Sequence, residues 1–355
     1  MPRFARTFAV GLLAVVSRVG DGVAQSPPPA LDAASRRELI DSVTAQVERL
    51  YVDPDTGRMI ANALRTRLHA GAYDTIADPR RLSVIVTADL RSINNDLHLA
   101  MVYAPNGGLS PFSSAMALAE RQRHYGLGRL EVLPGNVGYM EVTGFAGAPE
   151  ASGLVAAALR YLETTDAIII DLRKNNGGSP ALANLIASHF VGPDTIPTVT
   201  SRVRGLEPGS MRTVTQYTLA TVPGPRRTDV PLYVLTSRGT ASAGEWFSFT
   251  LQNLKRATLV GDRTAGAGHN VTFVQSGFGF STTISYSRVA DARTGKEWEQ
   301  VGVHPDVAVA PAAALDVAHL AALDVIAASA SDVRKRELTR IRDAVQARRD
   351  SAGRP

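Results

Sequence analysis

Two short apolar runs, each followed by a loop of small residues and a helix-like stretch, constrain the fold of this chain more than any other feature. The runs cover residues 167–172 and 232–236 and read AIIIDL and LYVLT. Continuous apolar segments of this length are typical of strands that are buried on both faces of a parallel sheet. Strands that alternate with helices in this way predict an α/β fold.

The rest of the chain divides around this core. Periodic apolar residues predict three helices between residues 31 and 98 and further helix over 311–348. Alternation predicts strands at 138–142 and 257–261, and a hairpin over 271–289. The predicted organisation is a signal peptide (1–25), an N-terminal helical domain (26–110), an α/β core (111–330) and a charged C-terminal helix or tail (331–355).

The first 25 residues predict export. Arg3 and Arg6 precede an apolar run of about ten residues, as in the first two regions of a secretory signal. Small residues at 22–24 offer a cleavage site, and a bilayer span would need ~20 apolar residues. We expect a periplasmic or secreted bacterial protein with no stable membrane span once the signal is removed. A disordered or membrane-anchoring N-terminus is the alternative.

The composition excludes several kinds of functional site and makes others unexpected. Cysteine is absent, which excludes disulfides, thiolate nucleophiles and thiolate metal sites. Basic residues number 38 and acidic residues 33, and no basic stripe is interleaved with aromatic residues, so nucleic acid is not an expected partner. Neither a metal-ligand spacing nor a nucleotide-binding glycine motif occurs, so we expect no metal and no cofactor. Nothing in the sequence indicates an oligomeric state.

Two loops that follow predicted strands are candidates for chemistry. Ser242 lies where a helix begins after the 232–236 strand, and the free N–H groups there favour an oxyanion formed by attack of a nucleophile. Gly177 and Gly178 follow the 167–172 strand and could present N–H groups to an anion. The alternatives are a helix-capping role for Ser242 and an ordinary turn at the glycines.

The segments 138–145, 171–178, 236–245 and 261–306, in this order, resemble the S41 serine peptidases. The second reads DLRKNNGG and is similar to the family's D-L-R-x-N-x-G-G signature. The resemblance covers roughly residues 35–310. It implies a crotonase/ClpP-like ββα core with an N-terminal helical bundle, and an exported peptidase that hydrolyses peptide or protein substrates through an acyl-enzyme.

The resemblance also implies roles for single residues. Ser242 is the expected nucleophile, His98 of the D-x-H motif the general base, and Glu299 of the W-E-x-V-G-V segment a supporting carboxylate. The N–H groups of the oxyanion hole are expected from Gly177 or Gly178 together with Ala243. Asp96 and His269 are further candidates for supporting the site.

Three departures from the family pattern qualify this reading. Ala267 stands where Ser–Lys members carry their lysine, and Leu97 stands where tricorn-type members carry a serine. Residues 99–134 are too few for an inserted PDZ domain, which needs roughly 80 residues or more. Two other functions stay open: a non-catalytic protein that binds apolar ligands, like the retinoid-binding repeats, and a crotonase-like acyl-transfer enzyme.

Overall fold

The computed structural model describes residues 30–105, 114–205 and 210–352, so the predicted signal segment lies outside the described residues. The helices are α1 (Ala33–Leu50), α2 (Pro54–His69), α3 (Pro79–Arg91), α4 (Ser114–Gln122), α5 (Glu150–Tyr161), α6 (Pro180–Ser188), α7 (Ala243–Asn253), α8 (Ala314–Ala328) and α9 (Asp332–Ala352). The strands are β1 (Ala100–Tyr103), β2 (Leu127–Leu133), β3 (Val137–Val142), β4 (Ala167–Asp171), β5 (Pro197–Arg204), β6 (Met211–Tyr217), β7 (Leu232–Thr236), β8 (Thr258–Gly261), β9 (Asn270–Gly277), β10 (Phe280–Asp291) and β11 (Val307–Ala308).

The core sheet has six strands in the order β11-β8-β7-β4-β3-β2. All neighbouring pairs are parallel except β2 with β3. Helix α5 connects β3 to β4, and α7 connects β7 to β8, as in βαβ units. Because β4 and β7 are parallel neighbours, the loops that follow them leave the same edge of the sheet.

The core sheet is covered on both faces, which confirms the predicted burial of its central strands. Ile168 and Ile170 of β4 pack with α5, α6 and α7, whereas Ile169 packs with α8 and α9. Successive side chains of a strand point to opposite faces, so a strand between two helical layers needs apolar residues at every position. Every residue of β4 and of β7 is buried.

A second, antiparallel sheet has the order β1-β10-β5-β6, with β9 paired to β10. The β9–β10 hairpin was predicted at this place, whereas β5 and β6 were not predicted. Helices α1, α2 and α3 share one hydrophobic core with this sheet, through Phe280 and Ile284 of β10 and Met101 of β1. The N-terminal helices are therefore packed onto the antiparallel sheet that contains β1 and β10.

Within the described residues, one helical stretch, 311–328, is long and apolar enough to cross a membrane. It contains α8, whose Ala314, Ala318 and Leu323 are buried against the core sheet. The apolar face of α8 thus has a partner inside the protein.

Candidate active site

Ser242 occupies a strained turn between β7 and α7. It stands at the N-cap position of α7 with φ 53° and ψ −119°, although N-cap residues ordinarily have extended backbone. Backbone strain of this kind in a residue other than glycine concentrates at functional sites. Ser242 and Glu245 form a capping box at this helix start, but a cap alone gives no reason for this backbone conformation, so the geometry suits a nucleophile that also caps the helix.

The buried carboxylate of Glu245 holds the Ser242 turn in place. It accepts the backbone N–H of Ser242 at 3.0 Å and those of Gly266 and Ala267 at 2.7 Å each. It also accepts the hydroxyl of Thr264 at 2.5 Å. Burial raises the pKa of Glu245, and these four donors act against that rise. The carboxylate thereby fixes the 264–267 loop against the start of α7.

Asn175 joins the loops at the carboxyl edge of the core sheet. Its side chain donates to Val142 O at 3.0 Å and accepts the N–H of Gly177 at 2.8 Å. Its backbone carbonyl accepts the N–H of Ala241 at 2.9 Å. These bonds press Gly177 against the nucleophile turn, where a Cβ on Gly177 would lie 2.7 Å from Ser242 Cβ. Only glycine fits this close approach.

Two backbone N–H groups near the nucleophile turn, one on each of the loops that follow β4 and β7, have no acceptor among the described residues. Ala243 is the first residue of α7, so its N–H has no acceptor within the helix. The N–H of Gly178 has no hydrogen-bond acceptor in the described part of the chain, and Gly178 is exposed. The N–H of Gly177, by contrast, is bound to Asn175. The geometry therefore favours Gly178 over Gly177 as an oxyanion donor.

A pocket lies between the two sheets at Ser242. Its lining includes Ser242 and Ala243 from the core sheet side, His269 at the start of β9, and the indoles of Trp246 and Trp298. The pocket thus brings a hydroxyl and an imidazole into one apolar cleft.

His269 is held by two carboxylates. Its Nδ1 lies 2.9 Å from Asp96 Oδ2 and 3.8 Å from Glu299 Oε2. The short contact to a carboxylate places a proton on Nδ1, which leaves Nε2 of the neutral ring as a hydrogen-bond acceptor. Nε2 is buried and has no partner among the described residues. The free lone pair is what a general base requires.

Asp96 is the centre of this buried network. Its Oδ2 also accepts the hydroxyl of Tyr51 at 2.9 Å, and its Oδ1 accepts the backbone N–H of His98 at 2.9 Å. Burial alone would raise the pKa of Asp96, but the hydrogen bond and charge of His269 outweigh it and hold that pKa below its ordinary value. Asp96 is therefore an anion at neutral pH.

The pKa values of the other two members of the cluster, Glu299 and His269, are raised. Burial raises the pKa of Glu299 to about 7; His269 opposes the rise and the Asp96 charge adds to it. Burial lowers the pKa of His269, but the hydrogen bond that its Nδ1–H donates to Asp96 and the charge of Glu299 outweigh it and raise that pKa above its ordinary value. The cluster therefore stabilises an imidazolium at His269.

Two signatures of known protein families match this chain. The signature of peptidase family S41 matches residues 136–309, and that of the N-terminal domain of peptidase S41 in eukaryotic IRBP matches residues 33–120. The chain belongs to peptidase family S41. This membership and the predicted α/β fold with its helical N-terminal region are confirmed.

This S41 chain has relatives that are similar in sequence and relatives that are similar in fold. It is 32% identical over 178 residues to a carboxyl-terminal-processing protease of Synechocystis sp., a match that covers 49% of this chain and 38% of that protein. The chain spans less than half the length of the curated relatives it matches. The fold is similar to that of a candidate peptidase from Parabacteroides merdae (TM-score 0.53, 23% identity, 77% of this chain and 89% of that chain). It is also similar to a lipoprotein from Streptococcus agalactiae (TM-score 0.55, 17% identity, 83% and 96%).

The structure of this S41 chain brings some of the sequence-predicted residues together and sets one apart. Ser242 and His269 line the pocket, whereas Asp96 and Glu299 do not line it and instead lie within 4 Å of His269 Nδ1. His98 is not among the pocket-lining residues of the described chain. Its side chain is 6% exposed, and burial lowers its pKa to about 4.

One sequence signal for His269 was available. His269 follows the glycine-rich turn 265–268 by one residue, and it stands two residues after Ala267, where Ser–Lys members of S41 carry their lysine. The turn that positions a base in those members therefore also leads into His269. Asp96 and His269 are 173 positions apart, and no pattern in the sequence indicated that the two side chains meet.

Proposed function

We propose that this chain is a serine-type peptidase that hydrolyses peptide bonds through an acyl-enzyme. The observation that carries the proposal is the shared pocket of Ser242, on its strained turn, and His269, with Nε2 unpartnered and Nδ1 bound to Asp96. A hydroxyl nucleophile, an imidazole base and a carboxylate that orients the base are the three parts of a serine-hydrolase site.

The chemistry follows from these positions. Ser242 Oγ attacks the scissile carbonyl carbon while its proton passes to His269 Nε2. The resulting oxyanion accepts the N–H groups of Gly178 and Ala243, and removal of one such donor typically costs ~2.7–4 kcal/mol of barrier. His269 then returns the proton to the leaving amine, and an ester to Ser242 remains. Water, deprotonated by His269, hydrolyses that ester and releases the carboxylate product.

Asp96 and Glu299 have different parts in this scheme. Asp96 fixes the Nδ1–H tautomer of His269 through the 2.9 Å hydrogen bond. Glu299 lies 3.8 Å from the same nitrogen and supports the imidazolium that forms during attack. The assignment of the base to His98 stays a prediction; both imidazoles are buried, but His269 lines the pocket with Ser242 whereas His98 does not, and the pKa of His98 is lowered to about 4, which favours His269 instead.

Labelling with a serine-directed fluorophosphonate tests the proposal. We expect the wild-type chain to be labelled, Ser242→Ala to be unlabelled, and His269→Gln to be labelled at least 100-fold more slowly, as is typical when a general base is lost. His98→Gln is the matched imidazole control and should retain labelling. Equal labelling of wild type and Ser242→Ala would refute the nucleophile; slow labelling of His98→Gln alone would return the base to His98.

The substrate and the location belong to the same proposal. We infer a peptide or protein substrate, in keeping with the name of the processing-protease relatives, captured without a PDZ domain. The basic and apolar pattern of residues 1–25 supports export to a periplasmic or extracellular compartment. Amino-terminal sequencing of the secreted product, which we expect to begin near residue 25, tests the export.

A further inference from the structure

The catalytic cluster contains more negative charge than the proposed reaction uses. Asp96 alone satisfies Nδ1 of His269, yet Glu299 places a second carboxylate 3.8 Å from the same atom. Among the described residues, neither carboxylate has a lysine or arginine within 4.0 Å, and His269 is the ion-pair partner of both. Two buried carboxylates that share one imidazole form a site with an affinity for a cation.

One carboxylate oxygen of the cluster lacks a partner, although it is buried. The side chain of Glu299 is nine-tenths buried; its Oε2 accepts the backbone N–H groups of Gly268 and His269, but its Oε1 has no hydrogen bond. Buried polar atoms without partners call for an explanation, and a bound ion is one. Here the unpartnered oxygen belongs to the carboxylate that the proposed reaction needs least.

We propose that Asp96, His269 and Glu299 form a binding site for a divalent ion of the zinc class, and that occupancy of this site silences the peptidase. The regulatory half of this inference rests on the proposed function; the binding half does not. No metal was expected from the sequence because it contains no metal-ligand spacing motif; residues 96, 269 and 299 meet only in the folded chain.

The three candidate ligand atoms lie close enough together to be drawn onto one zinc ion. One ligand atom from each residue can be chosen so that all three lie within 4.8 Å of one another. Zinc bonds to nitrogen and oxygen of about 2.0–2.2 Å place neighbouring ligand atoms about 3.4 Å apart in a tetrahedron. The observed separations of 2.9 and 3.8 Å lie on either side of that value. Three protein ligands and one open position are typical of non-structural zinc sites.

The donor set selects zinc over the hard cations. Calcium takes six to eight oxygen ligands, and magnesium needs an octahedron of oxygens, so one imidazole and two carboxylates suit neither. Imidazole with carboxylate suits zinc. Zinc would also balance the charge, since its two positive charges equal the two negative charges of Asp96 and Glu299.

Zinc on one nitrogen of the His269 ring should inhibit the peptidase because it determines the protonation of the other nitrogen. Zinc on Nδ1 displaces the proton from that nitrogen, and in the neutral ring a proton must then sit on Nε2. Nε2–H cannot accept the proton of Ser242, so the base is lost although Ser242 and both oxyanion donors are unchanged. Zinc should therefore lower the rate of nucleophilic attack and leave the serine turn intact.

Zinc binding to the full chain carrying Ser242→Ala tests the site without any need for activity. In competition with a chromogenic chelator, we expect one zinc ion per chain, and affinity about tenfold or more weaker in Glu299→Gln and in His269→Gln. Glu297→Gln in the same loop and His304→Gln are matched controls, because both residues are exposed and outside the cluster. They should bind zinc as the parent does, and calcium should not compete.

Three results would overturn the inference. They are the absence of zinc binding, binding that Glu299→Gln and His269→Gln leave unchanged, and zinc X-ray absorption showing more than one imidazole per ion. The absorption spectrum of the Ser242→Ala chain decides the ligand set even if a ligand variant fails to fold.

The inhibition of the peptidase by zinc is tested separately. Zinc should slow fluorophosphonate labelling of the wild type and a chelator should restore it; unchanged labelling at saturating zinc refutes the inhibition. A wild type that never labels in metal-free buffer refutes the peptidase, while the binding titration still decides the site.

Discussion

At the scale of single residues, the site depends on backbone conformations that most side chains disfavour. Ser242 has φ 53°, and Gly177 faces it with φ 106°. For a residue other than glycine, such as Ser242, this conformation costs about 1–3 kcal/mol and persists only where the surroundings hold it, whereas glycine adopts a positive φ readily. Here the Glu245 and Asn175 hydrogen bonds hold the two residues.

Gly177→Ala should therefore damage both stability and reactivity. The added Cβ would meet Ser242 Cβ at 2.7 Å and backbone atoms of Ala241 and Ala243 at 3.1 Å. We expect a loss of about 2–4 kcal/mol in the free energy of unfolding, measured with urea, and loss of fluorophosphonate labelling. Gly153→Ala in α5 is the control, because its Cβ meets nothing within 4 Å and alanine favours helix. Equal stability of the two variants would contradict the close approach.

His98 is a second residue whose environment makes a measurable prediction. Burial lowers its pKa from 6.5 to about 4, so the folded state resists protonation that the unfolded state accepts. Its contribution to stability is present above pH 6.5 and is lost as pH falls toward 4. The wild type should lose about 3 kcal/mol relative to His98→Gln across this range, by urea unfolding at a series of pH values. His304→Gln, at an exposed position, should run parallel to the wild type. Parallel curves for His98→Gln as well would show that His98 is not buried as described.

At the scale of elements, the parallel strands could be predicted because their surroundings leave little choice. β4 and β7 are covered on both faces, so their sequences are apolar throughout. By contrast, β6 lies at a sheet edge with most of its residues exposed, and its sequence MRTVTQY resembles a loop as much as a strand. β-propensity is a property of packing surroundings, so an exposed edge strand gives a weak signal.

Asn175 shows how the loops between these elements are joined, and this too was not evident from the sequence. Asn175→Ala should leave Val142 O and Gly177 N–H buried without partners and cost about 3 kcal/mol or more. Asn176→Ala is the matched control, because the Asn176 side chain makes no hydrogen bond within the described residues; its effect should stay within about 0.5 kcal/mol. Chemical denaturation of both variants checks the difference. Similar losses in the two would mean that Asn175 does not connect the strand ends.

At the scale of the whole molecule, the site exists only where separate regions meet. Ser242 comes from the core sheet, His269 from the second sheet, and Asp96 from the segment that follows the N-terminal helices. Tyr51, at the end of α1, donates to Asp96 as well. Sequence motifs could indicate Ser242, Asp96 and His269 as candidates, but not Tyr51. The packing of the regions decides which imidazole lines the pocket with the serine, and no local pattern encodes that packing.

Because α1, α2 and α3 share a core with β10, they should unfold together with the catalytic region. The two tryptophans, Trp246 and Trp298, both line the pocket, so their fluorescence reports that region, whereas far-UV circular dichroism also reports the N-terminal helices. We expect both signals to give one transition with a single midpoint. Phe280→Ala, in the shared core, should lower both midpoints equally and cost about 3–5 kcal/mol. Phe278→Ala, in the exposed turn of the same hairpin, should have a far smaller effect. Two separate midpoints, or a Phe280→Ala shift seen only by circular dichroism, would show that the helices fold apart from the site they help to build.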